Sequence, residues 1–257
     1  SHRDLARILE RDVRQAGLPV AYSKGYSPRA RLHFGLALST GYESLAEYID
    51  IDLVDPDEGG AESALPAADE VADLLQPCLP PGVVTTASTL LEAGTPALQD
   101  AVTSCTWEFL LDPADHDRAT ANAARMLAAE ELPIDLVRKS KQVREDLRPL
   151  LLSLDVDRTP ECSRLTVELG TKPRSVRPAE LLAARELPEH PIRVVRTHQW
   201  IQSDGERREP IELAAPNEQS FDREGLFGRV LSSSYVPKSG PDHDAIVAEL
   251  DGLFAEH

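Results

Sequence analysis

The chain has 257 residues, of which 41% are apolar and 28% charged, so it is long enough for one large or two ordinary domains with an aliphatic core. It contains neither a run of about 18 to 20 apolar residues nor a basic and apolar leader with a small-residue cleavage site, which argues against a membrane span and against export. Its three widely spaced cysteines, Cys78, Cys105 and Cys162, favour reduced thiols in a cytoplasm over a disulfide framework.

The net charge of −17 is distributed unevenly along the chain. No Lys or Arg occurs between Arg31 and Arg118, and this interval holds 17 of the 44 acidic residues, so the remainder is neutral overall. A solvated acidic face explains the pattern, and so does a polarised molecule whose basic side faces phosphates. The net charge alone therefore does not exclude nucleic acid as a partner.

The first half of the chain predicts an amphipathic helix followed by short strands. Leu5, Ile8, Leu9 and Val13 recur at helical spacing, and Gly17 ends the helix. Strict alternation of apolar and polar residues over 47–54 predicts a strand with one buried face and one acidic face. The other predicted elements of this half are strands at 32–38 and 82–91 and a helix at 67–75.

The second half predicts the same succession with a full set of elements. On the helix predicted over 115–129, we expect Ala121, Ala124, Leu127 and Ala128 to face the core. The remaining predicted elements are strands at 103–111, 134–139, 147–156, 164–169 and 192–201, a helix at 178–184, and a last strand at 209–213 that pairs with the one before it.

The order of these elements predicts an α+β fold. Its units are two tandem ferredoxin-like βαββαβ arrangements, of which the first lacks its initial strand. We expect the first unit at residues 1–100 and the second at 101–214. A polar tail with a short helix is expected over 215–257.

The segment between the first helix and the first strand is the densest in functional side chains. Residues 21–35 hold two phenols, one Lys, two Arg and one His, and Gly25 and Pro28 favour a stiff loop. Rings interleaved with cations suit single-stranded nucleic acid, whereas burial of the rings beneath a helix is the structural alternative. The candidate binding residues are Tyr22, Ser23, Lys24, Tyr26, Arg29, Arg31 and His33, with His2 and Arg3 at the start of the preceding helix.

Two further basic clusters lie in the second half of the chain. A cluster of cations at a hairpin tip is often only solvated, and phosphate binding is its functional interpretation. If the clusters meet the loop across the groove between the two units, we expect RNA in that groove. One cluster comprises Arg138, Lys139, Lys141 and Arg148, and the other comprises Lys172, Arg174 and Arg177.

No recognised catalytic motif is present in the sequence. The chain lacks cysteine or histidine runs for iron–sulfur or zinc sites, phosphate-binding glycine loops and a nucleophile elbow, so we expect no cofactor and no metal. His2, Tyr22 and Lys24 could support metal-free RNA cleavage, with His2 as general base and Lys24 stabilising the phosphorane. Binding without catalysis is the leading hypothesis, and this endoribonuclease is the alternative.

Three runs of the sequence resemble a known family. They are SHRDL at 1–5, LPVAYSKGYSPRARLHFG at 18–35 and GYESLAEYID at 41–50. The runs resemble the uncharacterised radical-SAM-associated protein family, a domain of unknown function, and the likeness weakens towards Trp200. The resemblance implies a non-catalytic companion of a radical-SAM enzyme, fused to it or encoded beside it, with a further strand before Ser1.

These observations together lead to a functional expectation. We expect a bacterial, cytoplasmic accessory protein that recognises RNA, structured or single-stranded, or another substrate for a radical-SAM enzyme in RNA modification or processing. No membrane partner is expected. The second alternative, beside the endoribonuclease, is a protein-interaction scaffold that contacts the radical-SAM enzyme and does not bind RNA.

Overall fold

A computed structural model of the chain provides the fold. It describes residues 2–54, 65–91, 94–138, 140–159, 162–184, 187, 191–203 and 205–211, without the side chains of residues 2–4. The tail predicted over 215–257 lies outside these residues. Contacts between Cα atoms group Ser1–Glu212 into one unit. In none of the described helices do length and apolarity reach what a membrane crossing requires.

The described helices and strands form a mixed α+β architecture. The α-helices are α1 (His2–Gln15), α2 (Glu70–Leu75), α3 (Leu98–Ala101), α4 (His116–Ala128) and α5 (Pro178–Leu182). The strands are β1 (Leu32–Phe34), β2 (Glu43–Ser44), β3 (Ile49–Ile51), β4 (Val102–Leu111), β5 (Pro133–Arg138), β6 (Lys141–Asp146), β7 (Leu151–Arg158), β8 (Ser163–Gly170), β9 (Arg193–Ser203) and β10 (Glu206–Arg208).

The main sheet contains six of these strands. The order is β10-β9-β4-β8-β7 with all neighbours antiparallel, and β2 pairs with β9 in parallel. Alternating burial along β4 and β8 places one face of the sheet in an apolar core and leaves the other face polar. The strand that pairs with β9 here is Glu206–Arg208; the strand predicted at 209–213 is not formed over 209–211, and its last two residues lie outside the described part of the chain.

Helix α4 packs against the apolar face of the sheet beside β7. Its buried residues are Ala119, Ala123 and Met126, spaced as i, i+4 and i+7. The predicted inward positions, Ala121, Ala124, Leu127 and Ala128, are exposed, so that prediction was wrong. The buried face of the helix differs from the predicted one because the large side chain of Met126 lies in the core. Alanines occur on several faces of the helix, so the sequence pattern did not identify which face is buried.

A separate hairpin, β5 paired with β6, lies between α4 and β7. Its turn places Ser140 at φ 64°, a left-handed conformation. The other elements of the second half, β4, α4, β7, β8, α5 and β9, follow the predicted βαββαβ succession. Strand β6 was not predicted, because its alternation is polar on both faces.

In the first half, β1 and β3 form a two-stranded antiparallel ladder. The strand predicted over 82–91 is absent, since the hydroxyl of Thr85 donates to the carbonyl of Ala72 (2.9 Å) and its N–H donates to Gln76 Oε1 (2.8 Å). Side-chain hydrogen bonds to α2 thus replace a strand ladder. The tandem ferredoxin-like arrangement is therefore not confirmed.

The guanidinium of Arg196 links the first half to the main sheet. Arg196 lies on β9 and is 1% exposed. It donates hydrogen bonds to the carbonyl of Leu36 (2.8 Å), to Ser44 Oγ (3.4 Å) and to the carboxylate of Glu47, and it lies 5.5 Å from the ring centroid of Trp107. All three hydrogen-bonding groups come from residues 36–47, so this segment supplies the partners of a buried charge.

We predict that Arg196→Met destabilises the protein. Methionine fills much of the volume but leaves the Leu36 carbonyl without a donor, so the free energy of unfolding should fall by about 1–3 kcal/mol. Urea unfolding followed by circular dichroism measures this change. Arg158→Met, at an exposed position of β7, is the matched control and should shift stability by less than about 0.5 kcal/mol. Equal stability of the two variants would contradict the role of Arg196.

We predict that the thiol of Cys105 is unreactive in the folded protein. Burial raises its pKa to about 11, against the opposing effect of Arg196, so at pH 8.5 it is almost wholly protonated. Iodoacetamide at this pH should modify at most Cys78 and Cys162, which are partly exposed, and should reach Cys105 only after denaturation. Mass spectrometry of tryptic peptides reads this out. Equal labelling of all three before denaturation would contradict it.

Candidate nucleic-acid interface

The loop that follows α1 is closed at its base by backbone contacts. Tyr22 and Ala30 form an isolated β-bridge. The N–H of Ser23 donates to the carbonyl of Arg29 (2.9 Å), and the N–H of Arg29 donates to Ser23 Oγ (3.0 Å). Gly25 adopts φ 147°, a conformation that side chains disfavour. Ser23 therefore helps to close the loop, while its side chain stays exposed.

The base of the loop packs on α1. The N–H of Ala21 donates to the carbonyl of Asp52 (2.7 Å), and the N–H of Arg31 donates to the carbonyl of Ala21 (2.9 Å). A second apolar cluster, separate from the core of the main sheet, lies between these segments and α1. It consists of Val13, Leu18, Val20 and Leu75, with Ala30, Leu32, Ile51 and Leu53 packed against it.

Several side chains of the loop point into solvent. Tyr26 is fully exposed, and Lys24 and Arg29 are exposed and form no side-chain hydrogen bond or ion pair within the described part of the chain. The hydroxyl of Tyr22 accepts a hydrogen bond from Arg14 Nε of α1 (3.4 Å), which raises the pKa of Arg14. Neither tyrosine is buried beneath the helix.

Arg31 and His33 both lie beside Asp52, which follows β3. Arg31 forms an ion pair with Asp52 (2.7 Å), and His33 Nε2 lies 3.4 Å from the same carboxylate. Asp50 is the cross-strand partner of His33. Burial raises the pKa of the Asp50 carboxyl, and the charge of His33 opposes the rise. Arg31 therefore has less charge to offer a ligand than Lys24 or Arg29.

The structure adds an arginine face of α1 that the sequence reasoning missed. Arg7, Arg11 and Arg14 are exposed and are spaced as i, i+4 and i+7, so they lie on one face of the helix. The contact between Arg14 and Tyr22 joins this face to the loop. Helical periodicity of the cations would have revealed it. We call Arg7, Arg11, Arg14, Lys24 and Arg29 the arginine surface.

His2 and Arg3 lie in the first turn of α1, but their side chains are outside the described part of the structure. The hypothesis of RNA cleavage by His2, Tyr22 and Lys24 is therefore not tested by the geometry. It stays a hypothesis from the sequence.

The basic cluster that contains Arg138 is partly neutralised by an ionic network between the β5–β6 hairpin and the residues Arg174 and Glu180. Arg138 Nε lies 3.1 Å from Glu145, and Arg174 forms contacts of 2.5 Å with both Glu145 and Glu180. The network joins the hairpin to α5. It brings Arg138 together with Arg174, which belongs to the other basic cluster of the second half. It therefore balances arginine charge with glutamate charge.

Other cations of these clusters remain in solvent. Lys141, Lys172 and Arg177 are exposed, and Lys139 lies outside the described residues. None of the hydrogen bonds and ion pairs given above joins either cluster to the loop. The shared groove expected from the sequence therefore stays a prediction.

Arg148 has a structural position at the end of α4. Its guanidinium donates to the carbonyls of Leu127 (3.0 Å), Ala129 (3.1 Å) and Leu151 (3.0 Å). The first two carbonyls belong to the last turn of the helix, where backbone acceptors lack intrahelical partners. Three of its donors are thus engaged within the protein.

We predict that Arg148→Ala lowers stability and leaves nucleic-acid affinity unchanged. Because carbonyls at the end of α4 lose their donor, the free energy of unfolding should fall by about 1–3 kcal/mol. Arg144→Ala, an exposed position on β6, is the control and should be stable to within about 0.5 kcal/mol. Thermal unfolding measures the stability of both variants. An unaltered midpoint for Arg148→Ala would contradict this placement.

Metal ligation finds no support in the part of the chain that the structure describes. No group of three His, Cys, Asp or Glu side chains is arranged there to hold an ion.

Comparison with protein families gives one match over the first two thirds of the chain. The model of a family described as an uncharacterised protein conserved in bacteria (DUF2344) matches residues 1–178. This range contains α1, the loop and the β5–β6 hairpin. The comparison with curated proteins finds no match.

Proposed function

We propose that this chain, which belongs to the DUF2344 family of uncharacterised proteins conserved in bacteria, binds RNA through the arginine surface. The observation that carries the proposal is the hydrogen bond of 3.4 Å between Arg14 and Tyr22. It makes the arginine face of α1 and the loop one continuous surface. Cations from two elements can therefore meet neighbouring phosphates of one strand.

The composition of the surface supports a polyanion as the ligand. The side chains of Lys24 and Arg29 are exposed and flank Tyr26 in the sequence, so a base stacked on the phenol ring would have cations near its phosphates. Arg11 is 66% exposed, although it also contacts Asp12. The acidic excess of the chain lies in another interval of the sequence, 32–117. Residues 1–31, which carry the surface, hold seven Lys or Arg against three Asp or Glu, so this part of the chain attracts a polyanion.

The proposed role is that of an accessory protein beside a radical-SAM enzyme. This part of the proposal rests on the resemblance of residues 1–50 to the radical-SAM-associated family. In it, the chain holds RNA and the enzyme performs the modification. For the fold, we retain a ferredoxin-like second unit, which the strand order β9-β4-β8-β7 and the βαββαβ succession support.

We predict salt-dependent RNA binding that requires the arginine surface. At low salt, the double variant Lys24→Ala with Arg29→Ala should bind a single-stranded RNA about tenfold more weakly than the unaltered chain. The slope of log K against log salt should shrink by about one for each phosphate contact that is lost. Fluorescence anisotropy over a salt series measures both quantities.

A matched control is the double variant Arg118→Ala with Arg158→Ala. Both arginines are more than half exposed, and both contact aspartates near the start of α4. The control removes the same charge and should bind as the unaltered chain does. Absence of binding at low salt would refute the proposal, as would equal loss in the two double variants. Co-purification with a radical-SAM enzyme after nuclease treatment would then favour the scaffold alternative.

A further inference from the structure

The polar face of the main sheet carries a stack of planar groups outside the arginine surface. His198 and Trp200 are two residues apart on β9 and lie on the same face of the sheet. Their rings are stacked, with centroids 4.9 Å apart and planes inclined by 7°. The guanidinium carbon of Arg207, on β10, lies 3.7 Å from the centroid of the Trp200 ring.

Hydrogen bonds fix each member of the stack. Trp200 Nε1 donates to Thr106 Oγ1 (2.8 Å), and His198 Nδ1 shares a hydrogen bond with Thr197 Oγ1 (2.9 Å). Arg207 donates to Glu168 Oε2 (2.7 Å). The rings are therefore held in place before any ligand arrives, which reduces the entropy cost of stacking a further ring.

One ring face of the stack has no ring or guanidinium against it in the described part of the chain. Trp200 contacts both His198 and Arg207, whereas His198 has one face against Trp200 and forms no second ring contact in the described part of the chain. His198 is partly exposed. We infer that this face of His198 is a binding site for an unpaired nucleobase. Antiparallel sheets that expose rings bind single-stranded bases by this geometry.

A carboxylate further along the same face gives the site a base preference. Thr106 is the cross-strand partner of His198, and Glu108, two residues on, is paired with Val195. Glu108 is one third exposed and lies 3.8 Å from Arg164. A carboxylate accepts hydrogen bonds from an exocyclic amino group, as on cytosine, and has no donor for the carbonyl of uracil. The site should therefore prefer cytosine over uracil.

The charge near the stack is compatible with a nucleotide. The carboxylates of Glu168 and Glu108 each have an arginine neighbour, Arg207 and Arg164. A free nucleotide and an RNA strand would present the same base to His198. The inference does not depend on the arginine surface, because His198 and Trp200 lie on β9 and share no residue with that surface.

We propose to test the site with CMP, UMP, pentacytidylate and pentauridylate. The indole N–H signal of Trp200, assigned with Trp200→Phe, reports on binding in proton–nitrogen NMR spectra. CMP should shift this signal at lower concentration than UMP. His198→Leu should weaken CMP binding about tenfold, whereas His198→Phe, which keeps a planar ring, should stay within about threefold of the unaltered chain. Glu108→Thr should remove the preference for CMP.

The outcomes separate this site from the arginine surface. Asp155→Asn, on the polar face at β7, should leave CMP binding unchanged. Lys24→Ala with Arg29→Ala should weaken pentacytidylate and not CMP if RNA spans both surfaces. Much tighter binding of pentacytidylate than of CMP identifies an RNA strand as the source, and similar binding identifies a free nucleotide. If no probe shifts the Trp200 signal at millimolar concentration, or if folded His198→Leu binds normally, the inference is wrong.

Discussion

A buried positive charge determines how the two parts of the described chain are joined. The guanidinium of Arg196 lies inside the main sheet, and an isolated charge there would carry a large desolvation cost. Residues 36–47 supply its acceptors, so the energy of the sheet depends on a segment far away in the sequence. The first half of the chain thus supplies the groups that neutralise and hydrogen-bond a buried charge of the sheet. Because of this dependence, residues 36–47 contribute directly to the stability of the main sheet.

The two surfaces proposed for ligands differ in how the fold supports them. The arginine surface rests on a small apolar cluster around Val13 and Val20, and its cations are held by few contacts. The stack of His198 and Trp200 rests on the central sheet and is fixed by hydrogen bonds. The cations of the arginine surface would therefore attract a polyanion over a long range. The stack of His198 and Trp200 has a defined geometry, because rigid strands hold its rings at set positions.

The sequence predicted the long, strongly patterned elements well, because their periodicity reflects burial on one face. Strand β4 and helix α4 fall within a few residues of their predicted ends. The strand expected over 82–91 is absent, since the hydroxyl groups of Thr85 and Ser88 are hydrogen-bonded to the backbone of Ala72 in α2, a contact that the local sequence pattern does not reveal. For Tyr26, the composition of the loop left exposure and burial beneath the helix open, and the structure shows the ring exposed. The neighbours of His198 and Arg196 could not, because they depend on strand register across distant segments.

The parallel pairing of β2 with β9 has a consequence for the order in which the protein folds. Glu43 is opposite Val195, so about 150 residues separate the two partners. Closing so long a loop is entropically costly, and contacts of this separation slow folding. During synthesis, residues 36–47 leave the ribosome long before β9 exists to receive them. Residues 36–47 therefore lack their partner in the sheet until β9 has been synthesised, and β9 then pairs with β2 and brings Arg196 to this segment.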